Sequence, residues 1–159
     1  MGERDYSRED LEQTEQQLMT RWEALSYQGL HEFERDWIRM FWLVGEVNNG
    51  SFHQYFHNSA GNEALETLDA LSRLGLPKTY RILSDAIDEF GSAGYSPVRQ
   101  ERWERLETLH ETAFDGPTKA FYGDGTEDVD RQALIRVCQE YQRLGIERAE
   151  PDAAADGGG

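Results

Sequence analysis

The sequence predicts an all-α protein, folded as a single compact domain of six or seven helices. Apolar residues recur every three or four positions through most of the chain, which is the spacing of one helix face. No segment shows the period-two alternation of apolar and polar residues that a half-buried strand requires. Cap residues and glycines stand at the ends of the periodic segments. Because these observations agree, we expect no β-sheet.

Two helices are predicted in the N-terminal third of the chain. Ser7 and Asp10 have the spacing of a capping box, and they start a first helix. Its predicted buried positions are Leu11, Leu18, Trp22 and Leu25. A second helix is predicted over residues 32–48, and its broad apolar stripe indicates the most buried helix of the fold. The stripe consists of Phe33, Trp37, Ile38, Met40, Phe41, Trp42, Leu43, Val44 and Val47.

A short helical turn over residues 52–57 follows Gly50, which is predicted to end the long helix with a positive φ. Asn62 is the predicted cap of a helix over residues 63–74, with Gly75 as its stop. The inward positions of this helix are Leu65, Leu68, Leu71 and Leu74.

Prolines and acidic caps mark the remaining helices. Pro77 suits the first turn of a helix over residues 78–90, and Ser96 with Pro97 opens one that reaches about Thr112. Residues 118–122 are predicted to form one short helical turn. Asp128 or Asp130 caps the last helix, which stops at Gly145.

The composition is strongly acidic. The 159 residues include 31 Asp and Glu against 16 Lys and Arg, which gives a net charge of −15. This charge argues against direct binding to nucleic acid or to an anionic membrane, because both would repel the protein. The 4 Trp, 7 Tyr and 7 Phe are more aromatic residues than a disordered chain carries.

The length corresponds to one domain, predicted over residues 1–148. Residues 149–159 lack apolar periodicity and end in three glycines, so they are predicted to be a disordered tail. No apolar run approaches the ~20 residues of a membrane span, and the start lacks the pattern of a signal peptide. The expected location is therefore the cytoplasm. A single cysteine, Cys138, excludes an internal disulfide, and its place on an apolar helix face predicts a buried thiol.

Residues 47–61, with the sequence VNNGSFHQYFHNSAG, are the least generic part of the chain. Phe52, Tyr55 and Phe56 share one face of a helical turn. Gln54 and Asn58 lie four residues apart, so they can bond across the helix surface or to the loop backbone.

This segment resembles the bacterial DNA-mimic protein family, whose pattern is Val-x-Asn-Gly-Gly-Phe-x-Gln-Tyr-Phe-x-Asn followed by a glycine and an amphipathic helix. The resemblance covers about residues 33–143, and Ser51 stands where the family usually has a second glycine. It implies an all-helical fold and, for at least one branch, an acidic surface that imitates duplex DNA and occupies a DNA-binding protein. The motif residues are interpreted mainly as a folding signature, and they are Asn49, Gly50, Phe52, Gln54, Tyr55, Phe56, Asn58 and Gly61.

Acidic residues at helical spacing supply a candidate surface for that imitation. Duplex DNA carries one charge per ~1.7 Å of its axis, and carboxylates three or four residues apart on a helix lie roughly 5–6 Å from one another. The predicted partner-binding residues are Glu12, Glu15, Asp85, Asp88, Glu89, Asp124, Glu127 and Asp128. The helix that Ser96 and Pro97 open is not part of the predicted acidic surface. Its glutamates alternate with Arg99, Arg102 and Arg105, which predicts a solvated, salt-bridged face.

The predicted partner is a basic DNA-binding protein that duplex DNA would compete for, and the acidic band can extend across a homodimer. The alternative is an immunity- or interaction-type protein that binds a partner of another class through shape and apolar contacts. In that case the acidity serves solubility, helix capping or adaptation to salt.

Catalytic and metal-binding patterns are weak. His53 and His57 have a spacing that metals use, but no local residue completes the ligand set. Glu107 and His110 match half of a di-iron carboxylate motif, and the second half is missing. The acidic loop over residues 124–130 lacks the ligand order of an EF-hand. The sequence therefore predicts no enzyme activity, no cofactor and no metal.

Overall fold

A computed structural model describes residues 5–123 and 127–147, and within these ranges the chain is all-α. It contains seven α-helices and no strand there, as predicted. The helices are α1 (Arg8–Gly29), α2 (Glu32–His57), α3 (Ala64–Arg73), α4 (Pro77–Asp88), α5 (Arg99–Thr108), α6 (Asp115–Tyr122) and α7 (Val129–Leu144). Short 3₁₀ helices occupy Ser59–Glu63 and Gly91–Ala93. None of the described helices is long and apolar enough to cross a membrane.

Contacts between residues divide the chain into two compact units. One combines the chain up to Arg35 with the chain from Leu134 onward, and the other is Asp36–Ala133. The single domain over residues 1–148 stays a prediction, and the tail predicted over residues 149–159 lies outside the described residues.

In the first unit, the capping box of α1 forms as the sequence predicts. The Ser7 hydroxyl accepts the backbone N–H of Asp10 at 3.1 Å, and the Asp10 carboxylate accepts the N–H of Ser7 at 3.1 Å. Leu11 and Leu18 are buried, but Leu25 is 43% exposed, so its predicted burial is wrong. The backbone leaves the helical conformation at Ser26, directly after Leu25, with a φ of 57°.

A buried carboxylate ties together the helices of the first unit. Glu34 is fully buried and accepts hydrogen bonds from Arg21 Nε at 2.5 Å, the Tyr141 hydroxyl at 2.7 Å and the His31 backbone N–H at 2.7 Å. Burial alone would raise the pKa of Glu34, but these hydrogen bonds and the positive charge of Arg21 outweigh it, so its pKa lies below the ordinary value. Burial and the bond to Glu34 raise the pKa of the Tyr141 hydroxyl.

The lowered pKa of Glu34 predicts a dependence of stability on pH. The carboxylate stabilises the fold fully above the pKa that it has in the unfolded chain, and this contribution is lost as the pH falls through the lower folded pKa. We expect Glu34→Gln to cost roughly 2 kcal/mol at pH 7, because hydrogen bonds to a charged group are lost. Urea titrations at pH 7 and pH 3 measure the effect. The difference between variant and parent should shrink at pH 3, and a difference that is equal at both pH values would contradict the assignment.

In the second unit, several helix ends follow the predicted signals. Gly75 has a φ of 69°, and the Leu76 N–H bonds the Leu71 carbonyl at 3.0 Å, which is the predicted glycine stop of α3. The predicted cap at Asn62 is wrong, because a 3₁₀ helix occupies Ser59–Glu63 and α3 begins at Ala64. The helix predicted to reach Thr112 ends at Thr108, since Leu109 has an extended backbone with ψ 152°.

The predicted apolar stripe of α2 is only partly buried. Met40, Leu43 and Val47 are inaccessible to solvent, whereas Phe41 is 40% and Trp42 is 43% exposed. The predicted stripe is wider than one helix face, and Phe41 and Trp42 lie at its exposed edge. Leu65, predicted to point inward from α3, is also 49% exposed.

Candidate functional site

The motif of residues 47–61 forms a kink inside α2. The backbone leaves the helical conformation at Gly50, with φ −167° and ψ 30°, and at Ser51, with φ 73° and ψ 179°. The prediction of a positive φ at Gly50 is therefore wrong, and the positive φ falls one residue later. Ser51 occupies a region of backbone conformation that is essentially restricted to glycine. The second glycine of the resembled family stands at this strained position.

Gly50 leaves room for the Gln54 side chain and does not adopt a positive φ. A Cβ atom built on Gly50 would lie 2.0 Å from Oε1 and 3.0 Å from Cβ of Gln54. The space lets Gln54 fold back across the kink, where its Nε2 donates to Oε2 of Glu46 at 2.7 Å. Asn58 donates to the same Oε2 at 2.9 Å. The side-chain amides of Gln54 and Asn58 therefore bind one carboxylate, that of Glu46, and connect the segments of chain before and after the kink.

The strain at Ser51 predicts a stabilising substitution. We expect Ser51→Gly to raise the free energy of unfolding by roughly 1 kcal/mol, because glycine adopts this conformation without strain. The Ser51 hydroxyl accepts the His53 N–H at 3.2 Å, and replacing such a cap by glycine costs only a few tenths of a kcal/mol. Thermal melting measures the change. Ser51→Ala is the control, since it removes the hydroxyl and keeps the strain, and it should melt below the parent.

The three rings of the motif are buried in an aromatic cluster. Phe52 and Phe56 have no exposed surface and Tyr55 has 1%. The ring of Phe56 lies 5.0 Å from that of Phe90 and 5.3 Å from that of Phe114, and Phe52 meets Phe121 at 5.9 Å. The prediction that the rings are buried is confirmed. Their ring partners are Phe90, just after α4, Phe114, just before α6, and Phe121 within α6.

A buried arginine binds the end of the motif. Arg102 on α5 has no exposed surface, and it donates to the Phe56 carbonyl at 2.5 Å, the Asn58 carbonyl at 3.0 Å, the Ser96 carbonyl at 3.0 Å and Asn62 Oδ1 at 2.8 Å. Burial lowers the pKa of its guanidinium. The assignment of Arg102 to a solvated face is therefore wrong. The periodicity of α5 could not show this, because a buried cation that bonds carbonyl groups leaves no apolar pattern.

Gly61 brings two backbone segments into close contact. A Cβ at this position would lie 2.7 Å from the Tyr55 carbonyl oxygen and 2.9 Å from Phe56 Cα. The Tyr95 hydroxyl donates to the carbonyls of Gly61 and Asn62, at 2.5 Å and 2.9 Å. Gly61 is thus required by packing, which supports the interpretation of the motif as a folding element.

His53 and His57 belong to a stack of planar groups. The ring of His57 lies 6.2 Å from that of His53 and 4.9 Å from that of Trp103, and the Arg99 guanidinium lies 4.7 Å from the Trp103 ring. Among residues 5–123 and 127–147, no group of three or more His, Cys, Asp and Glu side chains is placed to hold a metal ion. Cys138 is buried as predicted, with its sulfur 3.0 Å from the Thr14 hydroxyl.

Three of the predicted acidic residues stand together at the end of α4. Asp85, Asp88 and Glu89 are exposed, and none forms an ion pair with a described residue. They face away from the buried side of the helix, which carries Thr79, Leu83 and Ala86. Asp85 lies three residues before Asp88 and four before Glu89, so its Cβ atom lies roughly 5–6 Å from each of theirs.

The other predicted acids have different surroundings. Glu127 accepts the N–H groups of Lys78 and Thr79, at 3.1 Å and 3.0 Å, so its carboxylate holds the first turn of α4. Asp128 accepts the Arg131 N–H at 3.3 Å at the start of α7. In the first unit, Glu12 pairs with Arg8 at 2.7 Å and Glu15 is half-exposed. Asp124 lies outside the described residues.

Sequence reasoning missed three residues on which the site depends. Glu46 receives both motif amides, but the kink at Gly50 and Ser51 lies between Glu46 and Gln54, so helical spacing does not indicate these contacts. Arg102 carried no signal of spacing or apolar pattern. Tyr95, which holds Gly61 and Asn62, could not be found by periodicity either, because it lies between helices.

The fold and this site together define an all-α protein with a kinked, clamped motif helix and a separate acidic helix face. The sequence matches the model of the DMP19-like protein family over residues 28–141, and the chain therefore belongs to this family of DNA-mimic proteins. The match spans more than two thirds of the chain and includes the whole motif. No curated protein and no solved structure matches the sequence.

Proposed function

We propose that this protein is a DNA mimic that occupies the basic surface of a DNA-binding protein and competes there with duplex DNA. Membership of the DMP19-like family supports the general role. The surface proposed to bind the partner is the acidic end of α4. There, Asp85, Asp88 and Glu89 are exposed and form no ion pair with a described residue. Each carboxylate would take the place of a phosphate, acting mainly through long-range attraction and a faster association.

A pull-down from lysate of the source cells at low and at high salt tests the proposal. The expected partner is a DNA-binding protein that is captured at low salt and lost at high salt, since contacts between exposed charges are screened. Duplex DNA should displace this protein from the captured partner. A partner that binds the protein and duplex DNA simultaneously would contradict the proposal.

The α4 surface makes a quantitative prediction. Replacing Asp85, Asp88 and Glu89 by Asn, Asn and Gln should weaken partner binding about tenfold or more and flatten its salt dependence, with little loss of stability. The matched control changes Glu104, Glu107 and Glu111 to Gln, which alters the net charge equally at exposed positions of another surface. Calorimetric titration of both variants at two salt concentrations decides the matter. Equal weakening by the two variants would assign the effect to net charge and not to α4.

A second candidate function is binding of a protein that does not bind DNA. The exposed pair of Phe41 and Trp42, whose rings meet edge to face at 5.5 Å, favours it, because such rings commonly anchor protein interfaces. In this case the captured partner would be insensitive to salt, and Trp42→Ala would weaken binding while the α4 triple variant would not.

A further inference from the structure

The outward face of α4 has two chemically different halves. Residues three and four apart share a helix face, and the side opposite the buried Thr79, Leu83 and Ala86 reads Pro77, Tyr80, Arg81, Ser84, Asp85 and Asp88 in chain order. The second half carries the acidic residues. The first half contains the apolar Pro77 and Tyr80 and two exposed cations, Lys78 and Arg81, and it carries no acidic residue.

The first half borders a cavity of about 490 Å³ at the turn between α3 and α4. Its floor includes the buried Leu71 and Leu76, and its rim includes the exposed Pro77, Tyr80 and Arg81. Tyr80 is 39% exposed, so a large aromatic surface is available to a binding partner. Arg81 forms no ion pair with any residue of the described chain, although Asp85 stands one turn away.

We propose that this cavity receives an apolar side chain of the same DNA-binding protein whose basic surface meets Asp85 and Asp88. The proposal rests on the DNA-mimic function and adds the chemistry of the partner, which carries an exposed apolar residue beside its basic surface. Because the phosphates and sugars of DNA offer no cavity for this apolar residue, the cavity gives the mimic a contact with the partner that DNA cannot make.

Two quantities support a single partner for both halves. Eight residues separate Tyr80 from Asp88, which is about 12 Å along a helix that rises 1.5 Å per residue. An ordinary interface covers roughly 800 Å² on each partner, so a protein seated on the acidic half also covers the cavity. Charged contacts chiefly raise association rates, whereas a filled apolar pocket slows dissociation. The two halves therefore have complementary roles.

Two synthetic peptides test this without the natural partner. One has four lysines, one tryptophan and four lysines, and the other has alanine in place of tryptophan. We expect the tryptophan peptide to bind on the order of tenfold more tightly, because one large apolar side chain leaves water. Ser72→Phe, at the edge of the cavity, should abolish this ratio, and Ser92→Phe, an exposed serine outside the cavity, should leave it unchanged.

The outcomes separate the cavity from the acidic surface. Equal affinities of the two peptides, or a ratio that survives Ser72→Phe, would overturn the cavity proposal and leave the mimic function standing. In contrast, an α4 triple variant that binds the alanine peptide as tightly as the parent would overturn the acidic surface on which the proposal rests. Amide shifts of Tyr80 and Ser84 on addition of the tryptophan peptide to the parent protein give a readout that needs no variant, and unchanged shifts there would also contradict the proposal.

Discussion

We expect Arg102→Met to lower the free energy of unfolding by roughly 3–5 kcal/mol. The substitution keeps much of the side-chain volume but removes every donor from a site with no exposed surface. Three carbonyl groups and Asn62 Oδ1 then lose a partner that bonds them at 2.5–3.0 Å, and a buried acceptor left unsatisfied is costly. Since small domains are stable by only about 5–15 kcal/mol, the variant should be close to unfolding.

Urea denaturation followed by circular dichroism measures this loss. Arg81→Met is the matched control, because Arg81 is exposed, and it should change stability by less than about 0.5 kcal/mol. Arg102→Lys should recover only a minor part of the loss, since an ammonium group cannot reach acceptors spread around a planar guanidinium. If Arg102→Met and Arg81→Met unfold at the same urea concentration, the buried arginine does not hold the motif.

The second large effect is expected at Phe56. Phe56→Ala should cost roughly 3–5 kcal/mol, because it opens a cavity in the centre of the aromatic cluster. Phe56 has no exposed surface, and five other rings lie within 6.2 Å of its ring centroid, those of Phe52, Tyr55, Phe90, Tyr95 and Phe114. For a chain of this size the loss corresponds to a melting temperature lower by roughly 10 °C.

Phe41→Ala supplies the comparison, because it deletes the same ring from a position that is 40% exposed. We expect it to cost far less than Phe56→Ala, since its ring is already partly in water. Both melting curves can be recorded by circular dichroism on the same day and buffer. A harmless Phe56→Ala would refute the interpretation of the motif as a folding element.

Local signals were sufficient to predict the fold class and many helix ends. The capping box of Ser7 and Asp10 and the glycine stops at Gly75 and Gly145 depend on backbone groups within a few residues, so sequence spacing reveals them. The prediction for Gly50 was wrong because a glycine in a sequence can indicate either a positive φ or a close contact that leaves no room for a side chain. Only the folded position of Gln54 decides between the two.

The candidate site was predictable where it depends on periodicity. Asp85, Asp88 and Glu89 stand opposite a buried helix face, and that opposition can be read from spacing alone. The surroundings of Glu127 could not be read in the same way, because its partners Lys78 and Thr79 lie 49 and 48 residues away in the chain. The exposure of Phe41 and Trp42 likewise depends on which neighbours the fold supplies.

The bond between Glu127 and the start of α4 has a consequence for synthesis of the protein. Glu127, whose carboxylate accepts the N–H groups of the first turn of α4, follows Lys78 by 49 residues in the chain. Since synthesis runs from the N-terminus, α5 and α6 are made before Glu127 is added. A nascent chain that ends before Glu127 therefore carries the acidic residues of α4 on a helix whose N–H groups are not yet held. The face that we propose for the partner acquires its anchor only when the chain has been translated as far as Glu127, just before α7, so a shorter chain presents the charges without their final support.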